Sequence, residues 1–86
     1  MLAKVRLALR LTETTFDTEI QSLIDDCERN MEKMGVTVNE EDPQIVTAVI
    51  AYVKWQFGEN EESDKWREIY DRKLAELKMM SGYTTW

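Results

Sequence analysis

Residues 16–34 read FDTEIQSLIDDCERNMEKM, and this stretch decides the fold class. Its apolar side chains recur at steps of three and four residues, which is the spacing of one helix face. They are Phe16, Ile20, Leu23, Ile24, Cys27, Met31 and Met34. We expect Thr14 or Thr15 to cap the start of this helix and Gly35 to end it. The pattern therefore predicts a long amphipathic helix that packs its apolar face against other elements.

A second segment, residues 45–57, is apolar on nearly every side, and its ends identify it as a helix. Asp42 followed by Pro43 is typical of a helix start, and Gly58 is typical of a helix end. Because its apolar residues point in all directions, neighbours must cover it, including other copies of the chain. We therefore expect a buried central helix.

Two more helices complete the prediction. One begins near Ser63 or Asp64, carries its apolar side chains on one stripe, and stops at Ser81 and Gly82. The stripe consists of Trp66, Ile69, Tyr70, Leu74 and Leu77. Residues 1–10 predict a shorter helix with Leu2, Val5 and Leu9 on one face.

Together these segments predict an all-α protein, a compact bundle of about four helices. The bundle has a short N-terminal helix, two long amphipathic helices and one buried central helix. We expect a single domain over residues 1–86, with residues 81–86 as an extended C-terminal tail.

The composition of the 86-residue chain excludes several functions. There is no histidine, which rules out a Ser-His-Asp triad and most zinc and copper sites. The single cysteine, Cys27, cannot form an internal disulfide. A net charge of −6 argues against a protein that grips nucleic-acid phosphates. We expect no catalytic residues, no metal and no small-molecule ligand.

No targeting or membrane segment is predicted either. The start of the chain lacks the unbroken apolar run of a signal peptide. The longest apolar stretch, residues 45–53, is far shorter than the roughly 20 residues that span a bilayer. We therefore expect a protein made in the cytoplasm.

Charge is distributed unevenly along the chain. Residues 1–11 contain Lys4, Arg6 and Arg10 and no acid, whereas residues 12–42 contain ten acids and two basic residues. One interpretation is a solvated acidic face that keeps the domain soluble. The other is a head-to-tail interface, in which the basic end of one subunit meets the acidic face of the next. Its candidate residues are Lys4, Arg6, Arg10, Asp25 and Asp26.

Several other patterns have a simple structural interpretation. The acidic runs 39–42 and 59–64 lack the spacing of a calcium loop, so solvated loops are expected. Met31 and Met34 are expected in the core, and Met79 and Met80 either in the core or in an interface. Core packing is also expected for Tyr52, Trp55, Trp66 and Tyr70, because lysine and arginine do not surround them.

The order of these core and cap residues resembles a known family. One block contains Leu9, Arg10, Leu11, Thr12, Phe16, Asp17, Glu19, Ile20, Leu23, Ile24, Gly35 and Val36. A second contains Asp42, Pro43, Ile45, Ala48, Val49, Tyr52, Val53, Phe57 and Gly58, and a third Trp66, Tyr70, Asp71 and Leu77. Over almost the whole chain the sequence resembles the small head–tail connector (adaptor) proteins of tailed bacteriophages and prophages.

The resemblance implies a structural protein of the virion rather than an enzyme. Such subunits form a homo-oligomeric ring beneath the portal protein, at the head–tail junction of a particle assembled in a bacterial host. The ring extends the DNA channel and provides the docking surface for the next connector or tail protein. It carries no cofactor, and the genome passes through it without sequence-specific binding.

Two groups of residues acquire expected roles from this resemblance. Tyr83 and Trp86 either fold back onto their own domain or anchor in a partner, and the resemblance favours the partner. The loop of Asn39, Glu40, Glu41 and Asp42 is expected to face the channel or its mouth. An alternative function stays open: a small acidic protein-binding module, either a DNA mimic or a regulator-type inhibitor.

Overall fold

A computed structural model describes residues 1–57 and 62–79 of the chain. In these two ranges the chain forms four helices: α1 (Leu2–Ala8), α2 (Asp17–Lys33), α3 (Pro43–Gln56) and α4 (Ser63–Met79). The predicted all-α bundle of about four helices is confirmed. The predicted helix ends at Gly58 and at Ser81 and Gly82 lie outside the described residues.

Helix α3 is the central element, as its apolar sequence predicts. It packs against α1, α2 and α4. Its fully covered side chains are Ile45, Ala48, Val49, Ala51 and Val53. The start of α3 also matches the prediction, because the Asp42 carboxylate accepts a hydrogen bond from the Gln44 N–H at 2.8 Å and Pro43 is the first helical residue.

The amphipathic faces of α2 and α4 turn towards this centre. Ile20, Ile24, Cys27 and Met31 of α2 are fully buried, and Tyr70, Leu74 and Leu77 of α4 are buried as well. The two ends of the predicted α2 face are different: Phe16 is 41% exposed and Met34 is 42% exposed. The prediction that Met34 lies in the core is therefore wrong, because the helix ends before it and its side chain faces solvent.

The predicted cap of α2 is also wrong. Phe16 occupies the cap position, and no side chain caps the helix. A turn precedes it, in which the Asp17 N–H donates to the Thr14 carbonyl at 3.1 Å, while the Thr15 hydroxyl donates to the Glu13 carboxylate. The ring of Phe16 packs edge-on against Phe57, with centroids 5.4 Å apart. The start of α2 is therefore stabilised by an aromatic contact, and not by the threonine cap that the sequence predicted.

Both α1 and α2 end in a Schellman motif. After α2, Val36 donates to the Met31 carbonyl at 2.9 Å and Gly35, with φ +85°, donates to the Glu32 carbonyl at 3.0 Å. This confirms the predicted end at Gly35. After α1, the equivalent left-handed residue is Arg10, with φ +59°. A side chain at such a position costs conformational energy that glycine avoids.

Candidate interaction site

A groove of about 430 Å³ lies between α2, α3 and α4. We call it the aromatic groove. It is lined by Asp26, Arg29, Asn30, Lys33, Tyr52, Trp55, Gln56, Tyr70, Asp71 and Leu74. Helix α3 supplies its floor, because α2 and α4 both pack on α3.

Three aromatic rings shape the interior of the groove. Tyr52 packs edge-on against Trp55 with centroids 5.5 Å apart and against Tyr70 with centroids 5.1 Å apart. Trp55 and Tyr70 are 6.2 Å apart in a tilted arrangement. These spacings are those of favourable aromatic pairs, so the rings hold one another in place. Tyr70 is buried, whereas Tyr52 and Trp55 are half-buried and leave apolar surface open to the groove.

A hydrogen bond fixes the groove across its width. The side-chain amide of Asn30 on α2 donates to the Tyr70 hydroxyl on α4 at 2.8 Å. Burial raises the pKa of both Tyr70 and Tyr52 above the ordinary tyrosine value, which keeps the two hydroxyls neutral. Beneath them, burial raises the pKa of Cys27 to about 12. The interior of the groove is therefore uncharged.

The rim of the groove has charges of both signs. Arg29 pairs with Asp26 at 3.6 Å on α2, and the Arg67 guanidinium lies 5.8 Å from the centre of the Trp55 ring.

A second aromatic residue, Trp66, also has a basic neighbour, because Lys54 lies 4.4 Å from the centre of its ring. The sequence-based statement that lysine and arginine do not surround these aromatics is therefore wrong, although Tyr70 is a core residue as predicted.

The predicted basic interface residues have different surroundings. Lys4 and Arg10 are exposed. Arg6 is half-buried and pairs with Asp17 at 3.4 Å, so its charge is compensated within the chain, and the pair links α1 to the start of α2. Lys4 and Arg10 are therefore the two predicted basic residues whose charge is exposed to solvent.

The two predicted acidic interface residues are exposed, but they line different depressions. Asp26 lies at the rim of the aromatic groove. Asp25 lines a shallow depression between α1 and α2, together with Leu2 and Asp17. It also accepts a hydrogen bond from Gln21 at 2.9 Å. Consecutive residues of a helix point about 100° apart, which explains the separation of this pair.

Hydrogen bonds within the chain occupy two of the four predicted channel-facing residues. The Asn39 side chain accepts a bond from the Glu41 N–H at 3.0 Å, and Asp42 caps α3. Glu40 and Glu41 are exposed. Glu40 lies beside Glu28 of α2, and burial together with this neighbouring carboxyl raises the pKa of Glu28 to about 7. One carboxylate oxygen of Glu28 is buried without a hydrogen-bond partner.

The remaining predictions concern ligands and the C-terminal aromatics. Among residues 1–57 and 62–79, no group of three or more metal-ligating side chains is placed to hold an ion. In the same ranges, each helix is too short or too polar to cross a membrane. Tyr83 and Trp86 lie outside the described residues.

The sequence did not predict the aromatic groove. Its three rings were each assigned to the core from helical spacing, and that spacing does not reveal which core residues border an opening. The usable signal was the excess of aromatic residues at the C-terminal end of α3 and on the facing side of α4.

Comparison with known proteins supports the resemblance drawn from the sequence. The model of the family described as phage connector protein matches residues 1–84. No curated protein and no solved structure gives a match. The family match spans nearly the full chain of 86 residues and includes all four helices. The chain therefore belongs to the phage connector protein family.

Proposed function

We propose that the chain is the repeating subunit of a ring at the head–tail junction of a tailed phage. The ring lies beneath the portal protein, continues its DNA channel and offers a docking surface to the next connector or tail protein. Its role is structural rather than catalytic. The family match over residues 1–84 is the observation that carries this proposal.

The described surface supports an assembling subunit. Leu7 is 78% exposed and Met79 is 87% exposed, which leaves large apolar side chains in water at both ends of the helical chain. Contact with other subunits would remove this apolar area from water. A ring built of identical head-to-tail contacts uses two different patches of each subunit.

In this proposal, complementary charges set the relative orientation of neighbouring subunits. Lys4 and Arg10 provide the basic side of the contact, and Asp25 and Asp26, which point in different directions from α2, provide the acidic side on the neighbouring subunit. Arg10 has a left-handed backbone conformation, which glycine would adopt at lower cost. The presence of arginine at this position supports a role for its guanidinium group in binding. Arg6 is left out of this proposal, because its partly buried side chain pairs with Asp17 of the same chain.

Electron microscopy of the chain mixed with the portal protein of the same phage tests the ring. We expect a ring of density coaxial with the portal. The double change Lys4→Glu and Arg10→Glu should weaken assembly, and adding Asp25→Lys and Asp26→Lys should restore it. A chain that stays monomeric beside intact portals would overturn the proposal. If that monomer bound a DNA-binding protein instead, the acidic binding module would be the correct function.

The proposed channel lining rests on Glu41. Asp42 caps α3 and Glu40 adjoins Glu28, so changing either one disturbs the fold, whereas the Glu41 side chain is exposed. Particles with Glu41→Lys should assemble but deliver DNA more slowly, because lysine attracts phosphates that a glutamate repels. The matched control is Glu68→Lys on α4, which makes the same charge change at another exposed site. Equal delivery by both particles would remove Glu41 from the channel.

A further inference from the structure

The aromatic groove has the properties of a receptor for an aromatic side chain with a polar edge. Half-buried Tyr52 and Trp55 provide ring faces, and the Asn30–Tyr70 hydrogen bond holds the two walls at a fixed separation. Carboxylates of Asp26 and Asp71 at the rim are acceptors for an indole N–H or a phenol O–H. The volume of about 430 Å³ lies within the range of small binding sites.

The chain itself contains a segment of matching chemistry. Seven residues follow Met79 and read MSGYTTW, with Tyr83 and Trp86 separated by two threonines. Tyrosine and tryptophan are the residues that most often anchor a protein interface, because each buries a large rigid ring while keeping a polar group available. The other members of the segment are small, polar or flexible, so the two rings are its main apolar groups.

The direction of α4 determines which groove this segment reaches. Helix α4 continues five residues beyond Leu74, its last residue in the groove lining, or about 7.5 Å, before it ends at Met79. The end of α4 therefore lies beyond the groove of its own subunit, and a segment bound in that groove would have to run back along α4. Seven extended residues reach about 23 Å, which suffices to bridge to an adjacent subunit without a reversal.

We propose that the aromatic groove of one subunit binds Tyr83 and Trp86 of a neighbouring copy of the chain. This contact rests on the proposed ring, and it adds a specific donor segment and a specific receptor to it. Donor and receptor lie on different parts of each subunit, so the contact is head-to-tail and repeats from subunit to subunit. Met79 immediately precedes the donor segment, and its exposed side chain would be buried in the same contact.

Site-directed cross-linking tests the contact in full-length chains. A chain with Arg29→Cys, at the groove rim, is mixed with a chain carrying Thr85→Cys and oxidised. The matched control replaces the first chain with one carrying Thr12→Cys, an exposed position outside the groove. Native Cys27 is buried and does not compete. We expect the groove pair to form the mixed disulfide at least about ten-fold faster than the control pair, because binding raises the effective concentration of the two thiols.

The cross-linking result separates the neighbouring copy from the same copy. A dilute chain carrying both Arg29→Cys and Thr85→Cys should not form an internal disulfide between the two introduced cysteines. Rapid closure within that one chain would overturn the proposal. Equal cross-linking of the groove pair and the control pair would overturn it as well.

A second measurement does not depend on introduced cysteines. Trp86→Ala should raise the concentration needed for ring assembly by about thirty-fold or more, as removal of an anchoring residue does, while Thr84→Ala should change it little. Assembly of the Trp86→Ala chain at the original concentration would overturn the proposal.

Failure of this contact is distinguishable from failure of the ring, because the same samples are imaged with portal protein. Coaxial rings in which the groove pair cross-links no faster than the control would leave the proposed function intact and reject the groove assignment. Groove cross-links in samples without coaxial rings would support the groove assignment and reject the ring. If the Thr85→Cys chain instead formed a disulfide with the portal protein within intact rings, the portal rather than a neighbouring copy would be the partner of this segment.

Discussion

Among single residues, Glu28 makes the stability of the folded chain depend on pH. Burial and the nearby carboxylates of Glu40, Asp25 and Glu32 raise its pKa from 4.5 to about 7. The folded state therefore favours the protonated carboxyl. Its contribution to stability is complete below about pH 4.5 and is lost as the pH rises through 7.

We expect Glu28→Gln to stabilise the chain at pH 8, because the amide keeps the shape of the protonated acid. The gain should be about 1–2 kcal/mol, reduced by the water that reaches half-buried Glu28 and exposed Glu40. Urea unfolding at pH 5 and pH 8 measures it: the variant and the original chain should differ more at pH 8. Glu68→Gln, an exposed change of the same kind on α4, is the control. A difference that is the same at both pH values would contradict the assignment.

The pairing of Glu28 with Glu40 was not predictable from the sequence. The two residues are twelve positions apart, on α2 and in the loop before α3, and no helical spacing connects them. Asp42 is different, because an N-cap depends on neighbours within three residues. Residue roles that are set locally could be predicted here, and roles that depend on how the helices pack could not.

At the scale of elements, the ends of α1 and α2 offer a comparison of the same motif with and without glycine. Gly35 has φ +85°, and a Cβ added to it would meet no atom within 4 Å. The cost of a side chain there is therefore conformational rather than steric. Arg10 has the equivalent conformation after α1 and already bears that cost.

We expect Gly35→Ala to destabilise the fold by about 1 kcal/mol and Gly35→Asn to cost less, because asparagine tolerates the left-handed region better. Thermal and urea unfolding of the two variants measure the difference. The helix content of both variants should match that of the original chain. Equal losses for alanine and asparagine would show that the left-handed backbone is not the cause.

Most of the element-scale prediction is correct, because it rests on short-range signals. The apolar periodicity of α2, the Asp42–Pro43 start of α3 and the Gly35 stop each involve residues within one or two helical turns. The start of α2 was missed because a ring from the far end of α3, Phe57, packs on Phe16. The aromatic groove was missed for the same reason, since three helices must come together to form it.

At the scale of the whole molecule, Cys27 reports on the opening of the fold. Its side chain is completely buried, and burial raises its pKa to about 12. The thiolate is the nucleophile that attacks a thiol reagent, so the native thiol is protected both by lack of access and by protonation. Reaction therefore requires an opening of the contact between α2 and the residues packed on it.

We expect labelling of Cys27 to be slow in the native chain and to accelerate with urea in parallel with global unfolding. Labelling in increasing urea, followed by mass spectrometry, measures the rate. A Thr12→Cys chain, with an added exposed thiol, should take up one label at once and the second at the Cys27 rate. Rapid labelling of Cys27 without urea would indicate that α2 separates locally from the bundle.

The central position of α3 has a consequence for how quickly a newly made chain becomes ready to assemble. Helix α3 packs on helices that adjoin it in sequence, and only its contact with α1 bridges a longer interval. Helical proteins with such local contacts fold in microseconds to milliseconds, because little loop-closure entropy opposes them. Diffusional collision between finished subunits is slower than this at low concentration. In the proposed ring, the rate of assembly should therefore depend on the supply of subunits, and not on the speed at which each one folds.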